Sequence, residues 1–364
     1  MSLAARVAAL VEHGGENMSE ILWSTLRSAL GYADDVPTLL GRLRSEAVDA
    51  QREALEAFER TLVSRGEAYP ASAAAATELI AALEQSGIDA GVRAGIVRLL
   101  GAIATARPVL TDDGAPTEAA GSRAAVHEGF AVFVKLLDAS EREVRIAVAC
   151  LLISFDEDRA AVEAALTERA AKEHDEVSRA NLLACLHQFL PSERLALLDA
   201  TLGNDQSLLC RRQAARSLAA VLGPDAPDQV VAPLLAAISE ASALQKGYVE
   251  LPLGGAGLVA DSCWALSRLG HTRAMQQLPP LMSHMARAKP EDAMVIAESA
   301  LFVAFGEEPY SADKPLASLQ GLVVMASTTC EALWSGSRGE EMELLLRQHN
   351  LPGKRDALRA LLAG

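Results

Sequence analysis

The residues able to do chemistry are scattered along the chain rather than gathered. His127-Glu128 is the one His-Glu dipeptide, whereas a metal centre needs several donors converging on one point. His271, His284 and His349 fall on separate predicted helices or turns, with no spacing that makes a dyad. No Gly-x-Ser-x-Gly elbow is present to expose a nucleophilic serine. Gly254-Gly255-Ala256-Gly257 has the look of a phosphate loop, but it lacks the strand before it and the Lys-Ser/Thr pair after it. The five cysteines, at 150, 185, 210, 263 and 330, form no Cys-x-x-Cys pair. Asp261 stands about one helical turn before Trp264. That spacing admits an acid beside an aromatic platform, but a helix-start acid and a core tryptophan are expected, because Trp is mostly packing. The expectation is no catalytic residue, no metal ligand and no cofactor.

The elements around these residues are helices. Half the chain is apolar but only 4% is aromatic, so the core material is Ala and Leu, the strongest helix formers. Val and Ile occur singly rather than in alternating runs, which leaves the strand signal weak. One amphipathic phrase recurs. Its clearest copy runs from Leu208 to Gly223, and variants begin at Val92, Val144, Val177, Val259 and Val295. Val144, Val177 and Cys210 stand 33 residues apart, while Val92 to Val144 is 52 and Cys210 to Val259 is 49. Each longer interval holds an insertion: 107–122, rich in Pro and Gly, and roughly 240–257, with a Gly cluster. Recurrence at this period predicts stacked helix pairs. Further helices are expected at 2–13, 19–30, 123–138 and 272–287, with a short extended segment at Tyr248, Val249 and Leu251. Cys150, Cys185, Cys210 and Cys263 lie within the recurring helices and read as small buried residues.

A helix pair with Asp near its turn, then Val-Arg, then small residues and Leu-Gly, resembles the HEAT repeat. The best match is Leu202-Gly203-Asn204-Asp205-Gln206 running into Arg211, Ala214, Ala215, Leu218, Leu222 and Gly223. Weaker ones are Leu137-Asp138 with Val144-Arg145, Asp89 with Val92-Arg93, and Asp175 with Val177 and Arg179. The stretch from Trp23 through Gly31 to Pro37 also resembles uncharacterised bacterial HEAT-like proteins. The resemblance implies an all-α, right-handed α-solenoid of about seven to eight helix pairs with degenerate caps. Residues 1–34 would be N-terminal cap helices, 35–306 the array and 307–364 the C-terminal cap. It also implies that Asp and Arg link neighbouring repeats, which makes Asp205, Arg211, Asp138, Arg145, Arg93 and Arg179 structural. Three enzyme precedents exist among HEAT-like proteins. Di-iron hydroxylases need several His-Glu dipeptides; DNA glycosylases use a basic groove with aromatic residues and an Asp; bilin lyases offer no short motif to transfer.

Net charge is −15, from 48 acids against 33 bases. It opposes phosphate neutralisation and so a nucleic-acid partner, and it suits a basic one. Unpaired thiols fit a reducing cytoplasm; no membrane segment or signal peptide is expected. A non-catalytic scaffold or adaptor binding protein or peptide on its concave surface follows. Tyr248, Leu251 and Leu253, on the second insertion, are the expected partner contacts. Two alternatives stay open: a DNA-modifying or base-excision enzyme on the same scaffold, and an immunity or regulatory partner of a toxin.

Overall fold

The computed structural model describes residues 21–110, 117–188, 195–253, 255, 257–306 and 308–363. It is mostly helical and divides after Asp156 into two compact units, a boundary inside the span read from sequence as one array. In the first unit the helices are α1 Val36–Leu43, α2 Val48–Leu62, α3 Pro70–Leu83, α4 Ala90–Thr105, α5 Ser122–His127, α6 Phe130–Leu136 and α7 Arg142–Leu152. The second unit contains α8 Arg159–Lys172, α9 Glu176–Leu186, α10 Ala196–Asn204, α11 Leu208–Leu222, α12 Val231–Ser239, α13 Ala241–Tyr248 and α14 Leu258–Ser267. It continues with α15 His271–Gln276, α16 Leu278–Met285, α17 Pro290–Phe305, α18 Ser318–Thr329, α19 Arg338–Gln348 and α20 Arg355–Ala363.

Local chemistry sets the ends of these helices. Asp89 caps α4 by accepting from the Gly91 and Val92 amides, Asp175 caps α9 through the Ser178 amide, and Ser207 caps α11 through the Cys210 amide. Proline occupies the first turn of α1, α3, α16 and α17, where its missing N–H costs nothing. At the far end of α11, Gly223 takes φ +53°, a conformation that closes a helix cheaply only in glycine.

Packing repeats in register. In the second unit α9 lies on α11, α11 on α14, and α14 on α17. On their other side, α12 packs on α16 and α16 on α18. In the first unit, α2 contacts α4 and α4 contacts α7. The faces turned inward supply the core: Val92, Ile96, Leu99 and Leu100 from α4, Val144, Val148 and Leu152 from α7, and Leu209, Ala214, Ala215 and Leu218 from α11. An all-Ala/Leu interface has little volume per contact, and Phe58, Phe133, Phe155 and Phe305 fill the wider gaps.

Several local expectations are corrected. Residues 21–32 are not helical: a 3-10 turn at Trp23–Thr25 leads into strands β1 Arg27–Ser28 and β2 Gly31–Tyr32. Their backbone groups are taken by other partners, Ala29 N–H donating to Thr61 O and Ala33 N–H to Leu26 O. The expected helix at 2–13 lies outside the described residues. The first insertion begins with β5 Arg107–Pro108, which joins β3 Val63–Ser64 and β4 Glu67–Ala68 in a small sheet; residues 111–116 of it are not among those described. The helix expected at 123–138 breaks at Glu128-Gly129, and the one at 272–287 breaks at Gln277 before Pro279-Pro280. The second insertion is not extended: its first half is helix α13, whose last residue is Tyr248.

Candidate functional site

Arginine–carboxylate pairs run as a ladder between helices packed side by side rather than within one helix. Arg93, fourth in α4, reaches Glu141 at the start of α7 with a 2.8 Å contact. Arg179, fourth in α9, pairs with Asp205 just ahead of α11, and Asp205 also accepts from the Ser207 amide at 2.8 Å. Arg52 in α2 stands 3.8 Å from Asp89 at the start of α4. Arg145 turns its Nη1 to the carbonyls of Ala139 and Ser140, each at 2.9 Å. Asp205 is thus held by Arg179 of the preceding repeat and not by Arg211, which enters no ion pair with a described residue. Asp138 is exposed. The Glu141 carboxyl is held below its ordinary value, first by the Ser140 hydroxyl and then by its own amide and Arg93.

The same ladder becomes a buried cluster where the second insertion meets it. Arg212, fifth in α11, is fully buried and lies 3.4 Å from Asp261 in the first turn of α14. Arg216, one turn later, lies 3.4 Å from the same oxygen, Oδ2. The Tyr248 hydroxyl donates to that oxygen at 2.8 Å and the Gly255 amide at 3.2 Å. Gly255 is required here, because a Cβ would collide with the Asp261 carboxylate. Arg212 also donates from Nε to the Ser262 hydroxyl at 3.2 Å and from Nη1 to Gln213 Oε1 at 3.3 Å. Its guanidinium stands 5.2 Å from the Tyr248 ring centroid. Burial draws the Arg212 guanidinium below its ordinary value, and Asp261 opposes that shift. Burial, with the hydrogen bond to Asp261, raises the Tyr248 phenol.

Tyr248 and Leu251 are therefore buried, at 4% and 6% exposure, and Leu253 is half-buried. The expected apolar contact loop is instead a wedge: the Tyr248 hydroxyl is drawn inward by a carboxylate that two arginines share. The contacts of Asp261 converge on Oδ2: two guanidinium nitrogens, the Tyr248 hydroxyl and the Gly255 amide.

Above this cluster lies an open depression of about 530 Å³. Three helices each give it one stripe at helical spacing: Ala260, Asp261, Trp264 and Ser267 of α14; Val295, Glu298, Ser299 and Phe302 of α17; Leu345, Gln348 and His349 at the end of α19. Arg216 of α11 closes one side. Trp264 is not a core residue as expected; it is 45% exposed, and Phe302 is 62% exposed. Its neighbours on the same helical face, Ala260 and Ser267, are small and leave much of the indole uncovered. The guanidinium groups of Arg216 and Arg268 lie 5.7 and 5.8 Å from the indole centroid. Burial lowers the His349 imidazole, and burial pushes the neighbouring Cys263 thiol up to about 12.

Sequence reasoning singled out Asp261 and Trp264 but missed Phe302, Arg216 and the α17 stripe. The signal was present: Val295, Glu298, Ser299 and Phe302 share one helical face, and a face mixing Glu and Ser with Phe is not a core face. His127 packs its ring 5.2 Å from Phe155 and 5.9 Å from Phe130. Among the described residues no three His, Cys, Asp or Glu side chains gather to hold a metal ion, and no helix is long and apolar enough to cross a membrane. No protein-family model matches the chain, and no curated protein is significantly similar to it.

Proposed function

We propose that this chain is a HEAT-like α-solenoid protein that binds a protein or peptide partner without catalysis of its own, with the depression on α14, α17 and α19 as its recognition site. The solenoid reading draws support from neighbour-on-neighbour packing within each unit and from ion pairs that step from one repeat to the next. Repeats of this kind bury their apolar faces mutually and offer an extended surface for recognition.

The observation that carries the binding reading is Trp264 exposed beside Phe302 in one depression. Large aromatics left in water at a concave, mixed-polarity surface are typical anchors for a partner. A cytoplasmic setting suits five free thiols.

The test is a selection of binders from a display library of internal, end-capped peptides against the folded chain. Selected peptides are expected to lose at least tenfold in affinity on the Trp264→Ala/Phe302→Ala double variant, the scale of a single well-packed anchor. Binders indifferent to both substitutions would exclude this depression.

A further inference from the structure

We propose that the depression is a receptor for the free C-terminal carboxylate of a partner polypeptide whose last side chain is apolar. This rests on the binding-module reading of the same site and names the chemistry that it recognises.

Charge is the first part of the argument. Arg212 and Arg216 share a single carboxylate, Asp261, and the other group on that oxygen, the Tyr248 hydroxyl, is neutral. The cluster therefore keeps one positive charge. Arg212 Nη2 and Arg216 Nε, each 3.4 Å from Asp261 Oδ2, are buried in ion pairs that lack hydrogen-bond geometry, which leaves charged donors poorly satisfied. Burial, then the field of Arg216, lowers the nearby His187 imidazole. Arg268, at the edge of the indole, enters no ion pair with a described residue. Against these cations the depression sets two carboxylates: Asp261, which Arg212 and Arg216 share, and Glu298, exposed in its lining. An anion is complementary to what remains, and a guanidinium fork matches a carboxylate in shape as well as charge.

Spacing is the second part. The charged carbon of Arg216 lies 5.7 Å from the Trp264 ring centroid, about the span of one residue from its α-carboxylate to its side chain. Ala260, Val295 and Leu345 give the walls apolar character. A chain end delivers carboxylate and apolar group from one residue. An internal Asp or Glu would need a neighbour to supply the second group. The volume, about 530 Å³, falls in the range of sites for small ligands and chain ends. The acidic protein as a whole repels anions, so the site is a local reversal of the net charge of −15, and binding should strengthen when salt screens that long-range repulsion.

The experiment uses the full chain and a random heptapeptide library displayed with free C-termini. Selected sequences are synthesised as free acids, as C-terminal amides, and with a Gly-Gly-amide extension that buries the terminus. Affinities are read by fluorescence polarisation. The expected result is convergence on an apolar last residue and a loss of about tenfold or more on amidation or extension. Arg216→Gln should weaken the free acid by more than it weakens the amide, closing the gap between the two. Arg268→Gln, a variant at an exposed position that leaves the buried cluster intact, should weaken the acid more than the amide. Acids and amides binding within twofold of each other, while both still require Trp264, would overturn the carboxylate and leave the binding site standing. Failure of both this library and the end-capped library to yield a Trp264-dependent binder would overturn both.

Discussion

Asparagine in place of Asp261 isolates the central ion cluster with little change of shape. In the native fold Oδ2 takes the Tyr248 hydroxyl at 2.8 Å and the Gly255 amide at 3.2 Å, with two guanidinium nitrogens at 3.4 Å. The amide oxygen of asparagine retains the first two contacts. What is lost is the one anion that pairs with Arg212 among the described residues, and Arg212 has no exposed surface. Removing one partner of a buried pair costs about 3–5 kcal/mol, because the remaining charge stays buried. The retained hydrogen bonds and the partial exposure of Arg216 place this variant at the lower end, about 3 kcal/mol. Tyr248→Phe removes one donor to a charged acceptor and should cost about 1.5–2 kcal/mol. Asp261→Leu combined with Arg212→Met removes both charges and should cost clearly less than the sum of its two single substitutions. Urea titration, followed by tryptophan fluorescence and far-UV circular dichroism, measures each value. An Asp261→Asn variant within about 1 kcal/mol of the parent, or strict additivity in the double variant, would refute the idea that Arg212 depends on Asp261.

Three further outcomes follow from the geometry. His187, His284 and His349 are all held below their ordinary value near 6.5 by burial, His187 and His284 also by a neighbouring arginine. The unfolded chain then binds protons first, so stability of the second unit should be full above pH 6.5 and fall as pH drops below it; a urea midpoint flat between pH 7.5 and 5.5 would contradict this. The ladder should grade by burial: Arg179→Ala strands Asp205, whose side chain is 5% exposed, and should cost about 1–3 kcal/mol. Arg52→Ala, at a largely exposed pair, should cost under about 0.5 kcal/mol by the same titration. Finally, maleimide labelling mapped by mass spectrometry should find Cys150 first, since the other four cysteines are buried. Cys263, its thiol pushed up to about 12, should stay unlabelled at pH 8 until the fold opens; equal rates at both sites would count against the packing described.

The helices were legible because their signals are local. Caps at Asp89, Asp175 and Ser207, prolines in first turns and Gly223 at a helix end all act within a few residues of themselves. The ladder was legible in kind but not in partner: the Arg and the acid were visible, yet which acid meets which Arg depends on the offset between neighbouring repeats. That offset pairs Arg179 with Asp205 and leaves Arg211 aside. The second insertion misled for a similar reason. A Tyr among Gly and Pro reads as a loop contact until Asp261, thirteen residues on, draws its hydroxyl inward. Trp264 misled in the opposite direction, since a tryptophan in an Ala/Leu helix looks like core and only the small residues on its own face hint that it stays partly exposed. Phe302 was hidden in a helix whose other aromatic residue, Phe305, is buried.

The most direct test of the account replaces the three tryptophans, at 23, 264 and 334, with 5-fluorotryptophan and follows their ¹⁹F resonances as a selected peptide is added. The account predicts that the Trp264 signal shifts and saturates with the binding curve, while those of Trp23 and of Trp334, whose indole N–H donates to Ser327 O, stay in place. A saturating shift at Trp23 or Trp334 with Trp264 unmoved would contradict it.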